Sequence, residues 1–445
     1  MTVTAEPAPT RILVLGASGL IGEAVAAWLQ ERGYPVMPVA RRFGPAQKAR
    51  FPGTALERAV VDLPAEELRD LIEDSGAAVL VNAIGVLQDG PGGGAEDVHL
   101  GFAGRLVAAH KQSSKPCLLV QVSMPGIADH DETAFSRSKR AAERLIAAAD
   151  LPHVILRPGF VVAPAAFGGS ALLRAIAMLP FDLPKDLAER PFRVCDVFDI
   201  ARTIGFLAGR WQAGVRDFGE GWDIVERNET DVGTMVGHFV RRLGGPPRRW
   251  RLPDIPLVAG CRAGDLAGRL GWRPPIRSTA LAEMRRGIAA DPEPWIAATG
   301  IVPRPAREVV AALGGDVQER WFARLYLLKG LMIPVLAIFW IASGLIALAS
   351  FGAARAILVE AGFGLSLAGA VTLVSSLVDI AVGGLIAVRR TCRMGLLAGI
   401  AVSLFYMATA AVLTPDMWLE PLGALVKTGP AIVLMMVSLA ILEDR

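Results

Sequence analysis

The first third of the chain alternates short apolar runs with amphipathic stretches. The runs that predict buried strands occupy residues 11–15, 36–40, 59–62, 78–84, 117–123 and 154–156. Between the first two runs, residues 23–32 place apolar side chains at helical spacing and end at Gly33. Strands that alternate with helices form a parallel sheet with helices on both faces. The pattern therefore predicts an α/β Rossmann fold, a doubly wound parallel sheet, over residues 11–160.

The regular alternation stops after residue 160, and proline becomes frequent. We expect residues 161–320 to form a small substrate lobe and a linker, and residues 1–10 to be a disordered tail. Within the lobe, residues 241–251 (RRLGGPPRRWR) gather five arginines around a Gly-Pro turn. Two interpretations of these arginines stay open, a solvated face and a binding patch, and an anionic membrane surface suits either one.

Past residue 320 the pattern changes to long apolar stretches with few charges. They cover about residues 327–349, 364–388, 394–413 and 422–442, and each is close to the roughly 20 residues that cross a bilayer. The whole chain is 53% hydrophobic with a mean hydropathy of +0.43, and the excess lies in this region. Residues 321–445 are therefore predicted to form an all-α four-helix transmembrane bundle.

The basic residues around the predicted spans indicate an orientation. Arg389, Arg390 and Arg393 lie in the connection between the second and third spans, and such loops stay on the cytoplasmic side. The first ten residues have neither the basic region nor the apolar region of a signal peptide. We expect a multi-pass protein of a bacterial-type inner (cytoplasmic) membrane, with the N-terminal domain and the C-terminus in the cytoplasm.

The net charge and the positions of the cysteines argue against several classes of partner and site. The formal net charge of +3 is small for a chain of this length and does not indicate a nucleic-acid partner. The cysteines are isolated in the sequence, without a CxxC pair or a histidine at ligand spacing, so we expect neither a disulfide framework nor a metal site. They are Cys117, Cys195, Cys261 and Cys392.

A glycine-rich turn follows the first predicted strand and opens the first predicted helix. In the sequence GASGLIG, the first glycine allows a tight turn, and the other two allow close approach of a pyrophosphate and packing of helix on strand. The helix N-terminus adds free N–H groups and a positive dipole end. We predict a dinucleotide site, with a purely structural turn as the alternative. The predicted cofactor-binding residues are Gly16, Ser18, Gly19, Leu20, Ile21 and Gly22.

The end of the second predicted strand indicates which dinucleotide is bound. NAD-specific domains place an acidic residue here on the ribose, whereas this chain has Arg41 and Arg42. Two guanidinium groups suit the 2′-phosphate of NADP through charge-assisted hydrogen bonds. We expect NADP, with NAD as the alternative if the two arginines only stack on the adenine.

Further motifs carry a resemblance to a known superfamily. They are the GxxGxxG spacing, Asp62, Asn82-Ala83, Ser123, the segment from Phe135 to Lys139 (FSRSK) and the segment 156–159 (LRPG). Together they resemble the atypical and extended short-chain dehydrogenases/reductases. The apolar C-terminal region resembles the DoxX-like membrane domain, and the fusion of these two domains is a recognised type.

The resemblance implies roles for individual residues. Asp62 would contact the adenine, Asn82 and Ala83 would line the cofactor site, and Ser123 and Lys139 would be the catalytic serine and lysine. The tyrosine that donates the proton in this superfamily is replaced by Phe135. Loss of a general acid slows a reaction by roughly 10²–10⁴-fold.

His130 lies near this motif in the sequence and could replace the missing acid, but a lone histidine is more often a surface residue.

Two functions compete on this basis. The first is a membrane-anchored NAD(P)-binding oxidoreductase, or an epimerase-like enzyme, with a degenerate catalytic motif, acting on a small or lipid-soluble substrate and exchanging electrons with a quinone or a redox membrane complex. The second is a non-catalytic sensor or assembly factor that binds the nucleotide and acts on a membrane complex. A channel or transporter is disfavoured because the spans hold few polar residues. We expect membrane lipid to be a partner, and we expect no nucleic-acid partner.

One acidic residue, Asp379, falls inside the second predicted span. An ionisable residue within a membrane is costly and marks a functional or paired position. Counting 1.5 Å per residue from the cytoplasmic ends of the spans brings Lys329 to a similar depth. We expect Asp379 to face the bundle interior and to pair with Lys329. The alternative is that Asp379 lies nearer the membrane interface.

Overall fold

The computed structural model describes residues 10–88, 94–415, 418 and 425–442. Its contacts divide the chain into two compact units. The first unit comprises Met1–Ala263 and Pro275–Ala323, and the second comprises Gly264–Pro274 and Arg324–Arg445.

The first unit is built on a parallel sheet. Seven of its described strands join in the order β11-β6-β5-β4-β1-β2-β3, and every neighbouring pair is parallel. The strands of this sheet are β1 (Ile12–Leu15), β2 (Val36–Ala40), β3 (Leu56–Glu57), β4 (Val79–Asn82), β5 (Leu118–Val122), β6 (His153–Pro158) and β11 (Gly219–Ile224). Short two-stranded pairs use β7 (Phe160–Val162), β8 (Phe181–Asp182), β9 (Pro191–Phe192), β10 (Val194–Asp196), β12 (Thr230–Asp231) and β13 (Trp250–Arg251).

Helices cover both faces of this sheet, so the predicted doubly wound Rossmann fold is confirmed. Ile12 and Val14 point into one buried core, and Leu13 and Leu15 point into the other. Both faces of β1 are therefore apolar, as in other buried parallel strands. The helices of the first unit up to β6 are α1 (Leu20–Glu31), α2 (Pro45–Arg50), α3 (Ala65–Ser75), α4 (Phe102–Gln112) and α5 (Ala134–Ala147).

A third apolar core lies in the lobe that follows β6. Phe192, Met235 and Phe239 are buried at its centre. The helices between β6 and the second unit's long helices are α6 (Gly168–Ala177), α7 (Lys185–Ala188), α8 (Val197–Gln212), α9 (Val232–Leu243), α10 (Asp254–Arg269), α11 (Ser278–Arg286), α12 (Glu293–Thr299) and α13 (Ala306–Ala311). Of these, α8 returns to the sheet and packs on α1. Residues 264–269, the last six of α10, belong to the second unit.

One predicted strand is wrong. Residues 59–62 do not form a strand: the chain makes a 3₁₀ turn at Val60–Asp62, and β3 lies earlier, at Leu56–Glu57. The turn forms because the N–H of Asp62 donates to the carbonyl of Ala59 at 3.2 Å rather than to a neighbouring strand. β11 was not predicted, because its sequence (GEGWDI) is half polar and lacks a continuous apolar run.

The second unit is helical. Its helices are α14 (Val317–Ala349), which begins in the first unit, α15 (Phe351–Glu360), α16 (Leu365–Ala387), α17 (Cys392–Leu413) and α18 (Thr428–Ala440). Three of them, α14, α16 and α17, are long and apolar enough to cross a membrane. Large apolar side chains such as Ile338, Leu377 and Phe405 are exposed on these three helices, as expected of surfaces that face lipid.

The fourth predicted span begins at residues 422–424, which lie outside the described residues. Its described part is the 13-residue helix α18. The structure also has a helix that was not predicted, α15, between the first two spans.

Asp379 faces the interior of this unit as predicted, but its predicted pairing with Lys329 is wrong. The Asp379 carboxylate accepts hydrogen bonds from Ser343 and Tyr406. Ser343 follows Lys329 by 14 residues on α14, which is about 21 Å along the helix axis. This separation far exceeds the reach of a lysine side chain. The prediction failed because it assumed that both helices start at the same depth, whereas α14 is the longer helix and is offset along its axis.

Two adjacent glycines of α16 test how closely these helices pack. A Cβ atom on Gly383 would lie 2.6 Å from Ile341 Cγ1 and 2.8 Å from the carbonyl oxygen of Ala337, whereas a Cβ on Gly384 would meet nothing within 4 Å. We expect Gly383→Ala to destabilise the protein by about 1–3 kcal/mol through overpacking. Gly384→Ala, the matched control, should be neutral or stabilising by up to about 1 kcal/mol.

Thermal unfolding of the full chain in detergent measures both variants. Equal midpoints for Gly383→Ala and Gly384→Ala would show that α14 and α16 do not approach each other this closely.

Candidate functional site

The glycine-rich turn closes against the neighbouring strands. Gly16 has a φ of +83°, and a Cβ there would lie 3.1 Å from the carbonyl of Ala83. The N–H of Gly19 donates to the carbonyl of Gly16 at 3.0 Å. A Cβ on Gly22 would lie 2.3 Å from that same carbonyl oxygen. Both ends of the turn therefore require glycine. Gly16 is needed for its backbone angle, and Gly22 is needed because its α-carbon lies close to the carbonyl of Gly16.

The turn leaves the start of α1 available to an anion. Gly19 is the residue before the helix and offers no side chain as a cap. Glu23 makes the first hydrogen bond of the helix, because its N–H donates to the carbonyl of Gly19 at 2.9 Å. The N–H groups of Leu20, Ile21 and Gly22 precede it and have no acceptor within the helix. Together with the helix dipole they form an anion-binding end.

Helix α2, which follows β2 in the chain, forms hydrogen bonds with this turn and with α1. Gln47 donates from Nε2 to the carbonyl oxygen of Ser18 at 3.2 Å and to the Glu23 carboxylate at 2.6 Å. Arg50 forms an ion pair with Glu23 at 2.8 Å. The carboxylate of Glu23 is thus held by partners on α2.

Arg41 and Arg42 follow the last residue of β2, and both side chains are exposed. Among the described residues, neither guanidinium donates a hydrogen bond to a protein group. Arg42 is close enough to Glu57 to help lower the pKa of that carboxyl, although the N–H of Phe43 and the ammonium of Lys48 contribute more. Asp62 is exposed in the 3₁₀ turn beyond β3.

Asn82 closes β4 with its side chain buried. Its Nδ2 donates to Gln121 Oε1 at 2.8 Å, and its Oδ1 accepts from the N–H of Ile84 at 3.2 Å. The N–H of Ala83 donates to the carbonyl of Leu15 at 3.0 Å. These bonds fix the backbone where β4 leaves the sheet beside the glycine-rich turn.

Lys139 connects the ends of two strands from its position on α5. Only 6% of the residue is exposed. Its Nζ donates to the carbonyl of Ile84 at 3.2 Å and to that of Val122 at 3.0 Å. Burial lowers the pKa of Lys139 to about 8, and the nearby Glu143 opposes this shift. The ammonium is therefore held by neutral carbonyls at the carboxyl edge of the sheet.

A buried histidine that the sequence analysis missed lies beside Lys139. His99 is in a π-helical turn, Asp97–Gly101, that leads into α4. Its Nε2 accepts from the N–H of Val86 at 3.1 Å, and its Nδ1 lies 2.8 Å from Ser138 Oγ. Burial and the charge of Lys139 lower the pKa of His99 to about 3, so the ring is neutral. Since Nε2 accepts, Nδ1 carries the proton.

Phe135 packs edge-on against this histidine, with the ring centroids 5.5 Å apart. The carbonyl of Phe135 accepts from Ser138 Oγ at 3.1 Å. His99 and Ser138 thus form a hydrogen-bonded chain under the phenyl ring. Nothing in the sequence pattern distinguished His99 from a surface histidine, because its partners come from elements far apart along the chain.

Ser123 follows β5 and is 8% exposed. Its N–H donates to the carbonyl of Leu156 at 2.7 Å, while its Oγ is buried and makes no hydrogen bond within the described part of the chain. A buried hydroxyl without a partner is unusual in a folded protein and indicates a missing ligand or water. Val122, which precedes it, accepts from Lys139 of α5, so the predicted serine and the lysine ammonium meet at the same strand end.

His130, the suggested substitute acid, is exposed in a 3₁₀ turn at Ala128–His130. No described contact links it to Ser123 or Lys139.

The loop after Ser123 is fixed by buried arginines. Arg286, from α11, donates from Nη1 to the carbonyl of Pro125 at 3.1 Å and lies 3.4 Å from the Asp131 carboxylate. Arg140 donates to the other Asp131 oxygen at 3.2 Å and to the carbonyl of Gly126 at 2.8 Å. A Cβ on Gly126, whose φ is +116°, would lie 2.2 Å from Arg286 Nη1. Glycine at 126 therefore makes room for the guanidinium.

The same helix α11 also contacts the start of α5. Glu283 pairs with Arg286 at 3.0 Å and accepts a hydrogen bond from Thr133, the N-terminal cap of α5. Helix α11 was not assigned to the site from the sequence, because it lies some 150 residues further along the chain than its contacts. It nonetheless orients the loop and the helix that carry Ser123, Phe135 and Lys139.

The predicted residues thus surround one edge of the sheet, and they fit a dinucleotide. The glycine cradle would be filled by a Cβ, the start of α1 offers free N–H groups, and Ser123 Oγ has no partner. The donors at this edge are neutral N–H and O–H groups or cations, which suits a ligand that carries phosphates.

Comparisons with known families match each of the two regions of the chain. Residues 16–172 match the NAD(P)H-binding family, and residues 337–436 match the DoxX-like family. A curated relative from a Streptomyces species, 3-diazoavenalumate denitrifying reductase, is 25% identical over 308 residues, which covers 59% of this chain and 96% of the relative.

Solved structures of epimerases share the fold of the first unit. UDP-glucose 4-epimerase of Thermotoga maritima is similar with a TM-score of 0.51 and 14% identity, over 68% of this chain and 97% of that chain. UDP-glucuronic acid 4-epimerase of Bacillus cereus, solved with UDP-glucuronic acid and NAD, has a TM-score of 0.51 and 13% identity, over 71% and 100%. At these identities the similarity shows the fold alone.

Arg286 and its neighbour Arg285 provide a matched test of the loop. The Arg286 side chain is 9% exposed, whereas Arg285 is 37% exposed and pairs with Asp254 at the surface. Arg286→Ala leaves Asp131 and the Pro125 carbonyl short of a donor, and we expect a loss of about 3 kcal/mol. Arg285→Ala should cost less than about 1 kcal/mol.

Thermal unfolding followed by tryptophan fluorescence measures the loss, and limited proteolysis reports the exposure of residues 124–131. If both variants behaved alike in the two assays, the loop would not depend on Arg286.

Proposed function

We propose that this chain, which joins an NAD(P)-binding oxidoreductase-like domain to a DoxX-like membrane domain, is a membrane-anchored, NADPH-dependent reductase with a degenerate catalytic motif. The observation that carries the proposal is the environment of Phe135. The lysine and serine of the motif are present at the strand ends, but position 135 offers a phenyl ring packed on a neutral histidine. The acceptor is therefore one that needs no proton from this position.

The dinucleotide, when bound, would supply a hydride. The N–H groups at the start of α1 would hold its pyrophosphate, and Arg41 and Arg42, exposed and without hydrogen bonds to described residues, would hold the 2′-phosphate of NADP. Asp62 and Asn82 with Ala83 would line the adenine and nicotinamide sides. The interaction between Arg42 and Glu57 leaves Arg41 as the more available of the two cations.

His99 and Ser123 can orient an acceptor but cannot protonate it. His99 is neutral, and both of its nitrogens are used, by Ser138 and by the N–H of Val86. Ser123 Oγ can donate a hydrogen bond, but an alcohol is not an acid at neutral pH. A suitable acceptor is therefore electron-poor before it binds. The Streptomyces relative is named for such an acceptor, a diazo compound, and for its denitrification. When a hydride replaces the diazo group, a C–H bond forms, the C–N bond breaks and N₂ leaves, so this step needs no proton.

The membrane domain supports the rest of the proposal. Three apolar helices would anchor the chain in a bacterial-type inner membrane. The arginines of the 389–393 connection favour a cytoplasmic location for that connection and for the first unit. A small or lipid-soluble substrate, a quinone or a redox membrane complex would be within reach of a protein held at this surface. Phe135 favours a second candidate function, a non-catalytic nucleotide-dependent sensor or assembly factor for a membrane complex.

The first test concerns the choice of dinucleotide. We expect the full-length protein to bind NADPH more tightly than NADH, because hydrogen bonds to charged groups contribute about 1.5–3 kcal/mol, or roughly tenfold or more in affinity. Replacing both Arg41 and Arg42 by alanine should remove the preference and leave NADH affinity nearly unchanged. Isothermal titration calorimetry measures each affinity.

Arg32→Ala is the matched control, because Arg32 is exposed in the same domain and stacks on Trp28 instead. Equal affinities of the unmodified protein for NADPH and NADH would refute the NADP assignment.

The second test concerns position 135. Phe135 is only half-buried, so a tyrosine hydroxyl there can reach a bound substrate. We expect Phe135→Tyr to raise the slow reduction of simple carbonyl compounds by about 10²-fold, the contribution of one general acid. Phe135→Leu should give no increase, and adding Lys139→Met or Ser123→Ala to the tyrosine variant should remove it. The readout is oxidation of NADPH at the nicotinamide absorbance band.

Native protein should also reduce electron-poor acceptors such as aryl diazo compounds without any substitution. Tight NADPH binding with no turnover of any acceptor, even in Phe135→Tyr, would favour the sensor.

A further inference from the structure

The second unit contains a buried polar cluster centred on Asp379. This residue lies in the middle of α16, eight residues before its last residue and 14 after its first, and is 7% exposed. The buried face of α16 around it is polar for two turns, through Thr372 and Ser376. These two hydroxyls donate to backbone carbonyls of their own helix at 2.8 and 2.7 Å. Asp379 is therefore the one member of this face whose side chain needs partners from other helices.

Both carboxylate oxygens of Asp379 have such a partner. Ser343 Oγ, on α14, donates to Oδ2 at 2.9 Å, and the Tyr406 hydroxyl, on α17, donates to Oδ1 at 3.1 Å. The Tyr406 hydroxyl also contacts that of Ser375. Three helices thus meet at one carboxyl group through a chain of hydroxyls. Each hydroxyl can both donate and accept a hydrogen bond, so the hydrogen bonds in this series can reverse their direction.

No counter-ion accompanies this carboxyl among the described residues. On α14, Lys329 is about 21 Å along the helix from Ser343. Arg355 of α15 packs at Gly369, ten residues or about 15 Å before Asp379 on α16. Arg393 lies 13 residues or about 20 Å before Tyr406 on α17. Among the other described charges on α14 to α18 and their connections, Glu319, Arg320 and Arg324 lie still further from Ser343 than Lys329 does. The others lie at helix ends: Glu360, Arg389, Arg390 and Lys427.

A carboxylate ion in this position would be costly. An ionised side chain at the membrane centre is unfavourable by about 3 kcal/mol or more, and two neutral hydroxyls do not replace a cation. A neutral carboxylic acid fits the same geometry, because one of the hydroxyl oxygens can accept its proton after rotation. In water at pH 7 an aspartic acid favours its ion by roughly 4 kcal/mol. A burial penalty of about 3 kcal/mol or more therefore brings the neutral acid and the ion to comparable populations.

We propose that Asp379 is a proton-binding site of the membrane domain, a carboxylic acid that Ser343 and Tyr406 hold and through which a proton is exchanged. This site is independent of the dinucleotide site, and it stands whether or not the first unit is an enzyme.

Infrared difference spectroscopy of the full-length protein in lipid tests the proposal. The unmodified protein should show the carbonyl-stretch band of a protonated carboxylic acid at neutral pH, and the band should disappear in Asp379→Asn. Tyr406→Phe should keep the band but shift its frequency, because one hydrogen bond to the acid is lost. Glu360→Gln, a control at the end of α15, should leave the band unchanged. The first measurement needs no variant, so a failure to fold cannot obscure it.

Dicyclohexylcarbodiimide, an apolar reagent for protonated carboxyl groups, provides an independent readout. Mass spectrometry should find its adduct on Asp379 at a yield about tenfold or more above that on the exposed Glu360, because burial favours the neutral acid at Asp379. The proposal is wrong if the folded protein shows neither the band nor the adduct. Protection of Asp379 by sodium ions at constant pH would also overturn it, since the site would then hold a metal cation instead of a proton.

Discussion

The buried ammonium of Lys139 is the contact on which the dinucleotide site depends. It reaches from α5 to the carbonyls of Ile84 and Val122 and so joins the ends of β4 and β5, the strands that carry Asn82 and Ser123. Burial lowers the pKa of His99, and the charge of Lys139 adds to this effect, so the histidine is neutral. A neutral His99 can accept from Val86 on one side and donate to Ser138 on the other. Lys139 thereby fixes the backbone geometry and contributes to the protonation state of its neighbour.

This arrangement explains why a phenylalanine can stand at position 135 without disturbing the site. The polar groups beneath its ring satisfy one another: Ser138 Oγ bonds to the Phe135 carbonyl and to His99, and His99 bonds to the loop after β4. A hydroxyl on the ring is not required for their hydrogen bonding. The exception is Ser123 Oγ, which has no partner within the described residues. The other polar groups named here are therefore satisfied within the protein, and the Ser123 hydroxyl remains to bond a ligand.

The parts of the molecule that were predicted correctly depend on local patterns. Gly16 and Gly22 could be recognised from spacing, because the turn and the helix that need them are adjacent in the sequence, and apolar runs located five of the sheet strands. Residues 59–62 were misassigned because a three-residue apolar run can end in a turn as easily as in a strand, and hydrogen bonds to a neighbouring strand decide between the two. His99, Arg286 and β11 depend on partners that are distant in the sequence, which periodicity does not reveal. The Lys329–Asp379 pairing failed for a related reason, since the axial offset of two helices is a property of their packing.

Two of the buried ionisable groups, Lys139 and Asp379, are held in the same manner. Lys139 is bonded to neutral carbonyls and Asp379 to neutral hydroxyls, and neither makes an ion pair among the described residues. By contrast, Asp131 and Glu143 are paired with arginines, which stabilise their charged forms. A counter-ion fixes the charge of its partner, because loss of that charge would leave the other ion buried and unpaired. A neutral partner imposes no such cost, so a group held by carbonyls or hydroxyls can gain or lose a proton while the surrounding structure stays in place.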